Sequence, residues 1–186
     1  MLVIFWSLAV RGASALLLSE KLLMKSVFHQ DIDVLKVLSK SGVCWESSYV
    51  RQYLNGEFLG GFSDDDRSRI IETTCSNPPN PWYDAEGCAK TVDKIFLLSI
   101  KEVAERFGDS GLLKSRPQRE SMISDEFNAA RIARDEDGEA FWWWLRSPGN
   151  MSHRAAFVNS LGQICLDGYD SDRIPGGLRP ALWVRL

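Results

Sequence analysis

The chain has 186 residues, 45% hydrophobic and 25% charged, the composition of one globular domain large enough to bury a core. A formal net charge of −3, with basic residues scattered along the chain, excludes the basic footprint of a nucleic-acid binder.

Leu2 to Trp6 and Ala15 to Leu18 are apolar runs, but no basic segment precedes the first and Arg11-Gly12 splits the two. That pattern predicts a β-hairpin, Val3–Val10 turning at Arg11-Gly12-Ala13 into Ala15–Ser19, rather than an export signal or a membrane span. Lys21 to Lys40 reads mostly as loop with a short helix at Ile32–Leu38. A helix is expected after Trp45-Glu46-Ser47-Ser48, capped by Ser47 or Ser48, with Val50, Tyr53, Leu54 and Phe58 on one face and Gly60-Gly61 as its stop. A second short helix begins at Ser63. Its Asp64-Asp65-Asp66 run suits the positive end of a helix dipole better than a metal cluster.

Prolines at 78, 79 and 81 predict a surface loop from Ser76 to about Lys90. Lys94–Leu98 then reads as a short apolar strand. Ser99 and Glu102 form a capping box, with Ile100, Val103, Ala104 and Phe107 on one face and Gly108 as the stop. Residues 109 to 138 are polar and irregular, with a helical turn expected between Asp125 and Arg131. Phe141–Leu145 reads as a central buried strand, Ala155–Val158 and Gln163–Leu166 as a hairpin, and Leu178–Leu186 as a last strand able to pair with the N-terminal one.

Cys44, Cys75, Cys88 and Cys165 lack the close ligand pairs of a zinc site, and His29 and His153 stand far from any cysteine pair. Free, partly buried thiols are the default reading, with a local Cys75–Cys88 disulfide as the alternative in an exported protein. No Gly-rich phosphate loop, HExxH or Ser-His-Asp arrangement occurs, so no enzyme activity, no cofactor and no metal is expected.

Two segments rich in geometry-fixing residues, Trp143 to Gly149 and Gly177 to Trp183, bracket a chemically arbitrary span. Arg146 and Arg179 read as frame residues, and at least two of the three tryptophans 142–144 as core. Between the brackets, Asn150, Ser152, His153, Arg154, Phe157, Ser160, Cys165, Leu166, Asp167, Tyr169, Asp170, Ser171 and Asp172 form the candidate ligand-binding set. Strand alternation predicts Ala156 and Val158 facing the core and Ala155 and Phe157 facing out. His153, Arg154, Leu166, Asp167, Tyr169, Asp170 and Asp172 are expected to be exposed on the same surface. The competing reading is a tolerant solvated loop; a calcium site on Asp167, Asp170 and Asp172 matches no EF-hand spacing.

Trp6, Leu16 to Lys21, Trp45-Glu46-Ser47-Ser48, Arg51, Tyr53-Leu54-Asn55, Phe58, Phe62-Ser63, Thr91, Asp93 to Ser99 and the two brackets together resemble a bacterial family of domains of unknown function, DUF6273. The chain departs from it at the start, where the family usually has a further strand and a glycine before the first tryptophan. The resemblance implies an α+β, C-type-lectin-like fold of the formylglycine-generating-enzyme type. Such a fold has short helices around a small antiparallel sheet, is loop-rich, and here forms one domain over 1–186. In similar domains the bracketed segment is sometimes the variable region of a diversity-generating retroelement, whose adenine-directed mutagenesis replaces Asn-type codons. Ala155, Ala156, Val158, Gly162 and Gly168 look like its fixed punctuation. The Tyr, Ser, Phe, His, Asp, Cys, Leu and Arg residues of 150–173 are reachable from Asn codons by changing adenines, whereas Met151 and Gln163 are not. The resemblance thus implies a display domain, at a cell or phage surface, binding a protein or other surface ligand, its oligomeric state open. The alternatives are a non-diversified structural or adhesion domain and a formylglycine-generating-enzyme-like enzyme. That enzyme needs two neighbouring C-terminal cysteines, and only Cys165 lies there.

Overall fold

The computed structural model describes residues 3–30 and 43–186; the helix expected at Ile32–Leu38 lies outside them. Within them the chain is a mixed α+β fold, mostly strands, with a few short helices and several small sheets. No described helix is long and apolar enough to cross a membrane.

The N-terminal hairpin forms as expected: β1 (Phe5–Arg11) pairs antiparallel with β2 (Ser14–Ser19) across Gly12. The last strand, β14 (Ala181–Arg185), lies on the other side of β2 and also pairs with β4 (Ile70–Ile71), closing a four-stranded antiparallel sheet. Chain ends thus meet through β2 and β14.

The second sheet has six strands. At its centre β10 (Trp143–Pro148) lies between β13 (Gly176–Gly177), which it meets in parallel, and β11 (Arg154–Val158). The hairpin continues from β11 to β12 (Ile164–Asp170), and β7 (Met122–Ile123) and β3 (Lys25–Ser26) form the two edges. Two ribbons complete the strands: β5 (Thr73–Asn77) with β6 (Cys88–Asp93), and β8 (Ala133–Arg134) with β9 (Ala140–Phe141). The single small antiparallel sheet of the expectation is therefore two larger sheets and two ribbons.

Helix α1 (Tyr49–Tyr53) is capped by Ser48, whose hydroxyl accepts from Arg51 N, and runs on as a π-helical turn, Leu54–Phe58. Val50, Leu54 and Phe58 are buried from it. Ser63 caps α2 (Asp64–Arg69), and the three aspartates fill its first turn. Helix α3 (Ile100–Phe107) carries the Ser99/Glu102 capping box, buries Ile100, Val103, Ala104 and Phe107, and ends at Gly108 with φ 98°. In the irregular stretch only α4 (Asn128–Arg131) is helical.

Several residues that carry the family resemblance turn out to be one buried network. Asp93 is 2% exposed, and its carboxylate accepts from Trp45 Nε1 at 2.9 Å, Thr91 Oγ1 at 2.6 Å and Arg51 Nε at 2.6 Å. A buried carboxylate persists only with such partners. Next to it, Asn55 Oδ1 accepts from Lys94 N and Ile95 N, and its amide donates to Ile95 O.

That network corrects the strand expected at Lys94–Leu98. Ile95 to Leu98 are buried, but the segment belongs to no sheet, making a single bridge from Phe96 to Ala181. Others of its backbone groups bond to Asn55, to Arg146 Nη1 at Leu97 O and to Arg146 N at Leu98 O. Side chains replaced a sheet neighbour, which apolar content alone does not reveal. The Pro-rich loop is also shorter than expected. Ser76-Asn77 and Cys88 to Lys90 are strand residues, so irregular backbone is confined to 78–87. Asn80 pins this loop, its amide donating to Pro148 O and Leu166 O at 2.8 Å each.

Candidate functional site

The bracket residues are frame, as expected. Trp143 and Trp144 are fully buried on opposite faces of β10, their indole N–H groups donating to Arg131 O at 3.1 Å and Ser26 O at 2.9 Å. Arg146 is 3% exposed and binds Glu102, Leu97 O, Asn77 Oδ1 and Ser76 O. Burial raises the Glu102 carboxyl, but the charge of Arg146 and hydrogen bonds from Arg146 and Ser99 outweigh it and hold the group below its usual range. Arg179 donates to Ser19 O and Arg131 O and lies 5.2 Å from the Trp143 ring centroid; burial pushes its guanidinium down to about 10.

Over β10 and the β11–β12 hairpin lies an open groove of about 490 Å³. Its floor is aromatic. Phe157 stacks on Tyr169 with centroids 4.7 Å apart and meets Trp142 edge-on at 5.2 Å, while Trp142 meets Trp144 edge-on at 4.7 Å. Such offset and edge-on packing fixes ring positions beyond simple area burial. Arg154, Asn159, Ser160, Cys165, Asp167, Met122 and Ile174 complete the lining.

Local backbone geometry makes the groove. The register of β11 against β12 shifts between Ala155/Tyr169 and Phe157/Cys165, a bulge at which Gly168 takes φ 74°. A Cβ on Gly168 would stand 2.6 Å from Ala155 O, so a side chain there would push the strands apart. With glycine in place, Arg154 meets Asp170 across the strands at 3.1 Å, and His153 Nε2 reaches the same carboxylate oxygen at 3.3 Å. The Arg154 and Asp170 charges at that corner are therefore paired with each other.

The structure divides the sequence-derived set. Arg154, Phe157, Ser160, Cys165, Asp167 and Tyr169 all line the groove. Asn150 and Ser152 line a separate, smaller pocket of about 180 Å³ with Asp84 and Glu86. His153 and Asp170 meet at that corner, and Asp172 is half-buried outside the groove lining.

Exposure is the main correction. Ala155 and Phe157 do share the groove side with their cross-strand partners Tyr169 and Cys165, yet Ala155 is 0% and Phe157 8% exposed. The rings of Trp142 and Tyr169 cover what alternation alone assigned to solvent. Tyr169 is the exposed member, at 42%. Leu166 faces the core at 0%, and Ser171 is also fully buried, its carbonyl accepting from Phe28 N and His29 N. Neither presents a side chain for contact. Cys165 is at the groove wall but buried, and burial followed by the charge of Asp167 pushes its thiol up to about 12.

The cysteine expectation is corrected as well. Cys44 and Cys88 form a disulfide, while Cys75 and Cys165 are free and buried. Cys88 pairs with the distant Cys44 because β5 and β6 present it toward the segment before α1 rather than toward Cys75, whose strand partner is Thr91. Among the described residues no group of three His, Cys, Asp or Glu side chains could hold a metal ion.

Sequence reasoning missed Trp142, Met122, Asn159 and Ile174 as lining side chains, and Arg131 as an organiser. The spacing of Trp142 two residues before Trp144 was the available signal for the first. Arg131 is fully buried, pairs with Asp125, and donates to Gly108 O and to Gly162 O in the β11–β12 turn. It ties the turn to α4.

No curated protein and no solved structure matches the chain. Residues 14–186 match the family described as Domain of unknown function (DUF6273). That stretch runs from β2 through β14 and contains the buried Asp93 network, both brackets and the groove, and the chain belongs to the DUF6273 family.

Proposed function

We propose that this chain is a ligand-binding display domain of C-type-lectin-like type, holding a protein or other surface ligand in the groove over β10, β11 and β12. The observation that carries the reading is the contrast, within one sheet, between a buried hydrogen-bonded frame and an open groove. Frame residues Trp143, Trp144, Arg146 and Arg179 are buried and hydrogen-bonded. Arg154, Ser160, Asp167 and Tyr169 are half-buried or exposed around the aromatic groove. Exposed Tyr supplies contact area at low entropy cost, and the neighbouring polar groups supply direction.

The same contrast favours the finer reading, a variable protein of a diversity-generating retroelement, whose substituted codons would need positions that can change without unfolding the frame. In this reading the variable positions centre on Arg154, Ser160, Asp167 and Tyr169, with Leu166 and Ser171 held by packing. The DNA flanking the gene tests it. A near-identical template copy of codons 150–173 beside a reverse transcriptase gene is expected. Absence of both leaves a binding domain of fixed specificity and overturns the diversified reading.

A further inference from the structure

Away from the groove, and sharing no lining residue with it, a second pocket of about 390 Å³ opens beside the π-helical turn. Its walls include Tyr53, Phe58 and Phe62, and its polar side chains include the carboxylates of Glu57 and Asp66; among the described residues no lysine or arginine lines it. We infer that this pocket binds an organic cation of the alkylammonium class.

The wall exists because the helix widens. In an α-helix, residues five apart point roughly 140° away from each other. The π turn at Leu54–Phe58 has a wider repeat, which brings Tyr53 and Phe58 onto one side, stacked with centroids 6.3 Å apart and planes at 24°. Phe58 then meets Phe62 edge-on at 5.3 Å, where the chain turns at Gly61. Tyr53 and Phe62 are half-buried and remain open to a ligand.

Aromatic faces carry negative potential and attract cations, most strongly alkylated ammonium groups that lose little hydration. The two carboxylates add charge of the complementary sign. Asp66 is held by Ser63 Oγ at 2.7 Å, whereas Glu57 has no ion-pair partner among the described residues. Its field reaches the wall: burial first, and then the charge of Glu57, pushes the Tyr53 phenol above its ordinary range. A neutral ligand of the same shape would gain the apolar contact without either electrostatic contribution.

The test is an NMR titration of the intact chain with choline, and in parallel with 3,3-dimethylbutanol, its uncharged isostere, at constant ionic strength. Choline is expected to shift Tyr53, Glu57 and Phe62 resonances with a millimolar dissociation constant, and the isostere to leave them nearly unmoved. Glu57→Gln, at an exposed position, should weaken choline about threefold to tenfold without altering the unfolding midpoint. Phe62→Leu should do the same by removing the ring. Equal binding of the two probes, no choline-dependent shift in the pocket, or unchanged affinity in both variants would overturn the assignment.

Discussion

Arg146→Ala is the sharpest test of the frame. The guanidinium is buried and serves Glu102, two backbone carbonyls and Asn77 at once, and it lies 5.6 Å from the Phe96 ring centroid. Truncation leaves the Glu102 carboxylate and the buried Leu97 carbonyl without their partner. Removing one member of a buried pair costs roughly 3–5 kcal/mol, and the orphaned carbonyl adds to it, so a loss of about 4 kcal/mol is a conservative expectation. For a domain of this size that lowers Tm by roughly 8–16 °C. Urea denaturation with fluorescence detection measures the change, and Arg146→Lys should recover only part of it, since an ammonium cannot reproduce the planar fork. The pH dependence has a definite sign. Glu102 has a folded pKa depressed below its unfolded one, so the pair's stabilisation is complete above the unfolded carboxylate range and disappears as pH falls through the folded value. The wild type should therefore lose stability on acidification more steeply than Arg146→Ala. If Arg146→Ala stayed within about 0.5 kcal/mol of wild type at neutral pH, the frame assignment would be wrong.

Phe157→Ala should cost roughly 3 kcal/mol or more because the ring is buried in the groove floor, whereas Tyr169→Ala, 42% exposed but stacked over Phe157, should cost less, roughly 1–2 kcal/mol; equal costs in urea melts would contradict this division of the groove. In the native protein Cys75 and Cys165, both with thiols pushed up to about 12 by burial, should resist alkylation at neutral pH and react only on unfolding. Reducing Cys44–Cys88, which spans 44 residues, should lower the unfolding free energy by about 2–4 kcal/mol; rapid labelling of all thiols before reduction would contradict both statements. Gly162→Ala should destabilise by about 2 kcal/mol or more, since φ is 80° and the new Cβ would fall 1.8 Å from Asn128 O. Ser160→Ala in the same turn should be nearly neutral by thermal melting.

What was legible in the sequence was local. The Ser48, Ser63 and Ser99 caps, the Gly12 hairpin and the β11–β12 hairpin follow from side-chain chemistry acting within a few residues, and all formed where expected. Trp143, Arg146 and Arg179 were readable as frame because rigid, multiply bonding side chains cluster there. What failed depended on distant partners. Lys94–Leu98 carries strand composition, but its hydrogen bonds come from Asn55 and Arg146 rather than from a neighbouring strand. The exposure of Phe157 was misjudged because alternation gives the side of a sheet and not what lies over it, here Trp142 and Tyr169. Cys88 found Cys44 only through the placement of β6.

The central claim is that one face of a rigid sheet can change its chemistry freely and thereby choose its ligand. A displayed library randomised at Arg154, Ser160, Asp167 and Tyr169, scored for protease resistance and then selected against a panel of unrelated proteins, measures both halves at once. Most members are expected to remain as resistant as wild type and some to yield specific binders, while a control library at Leu166, Phe157 and Ser171 loses resistance. Loss of resistance in both libraries alike, or a resistant groove library from which no target ever selects a binder, would contradict it.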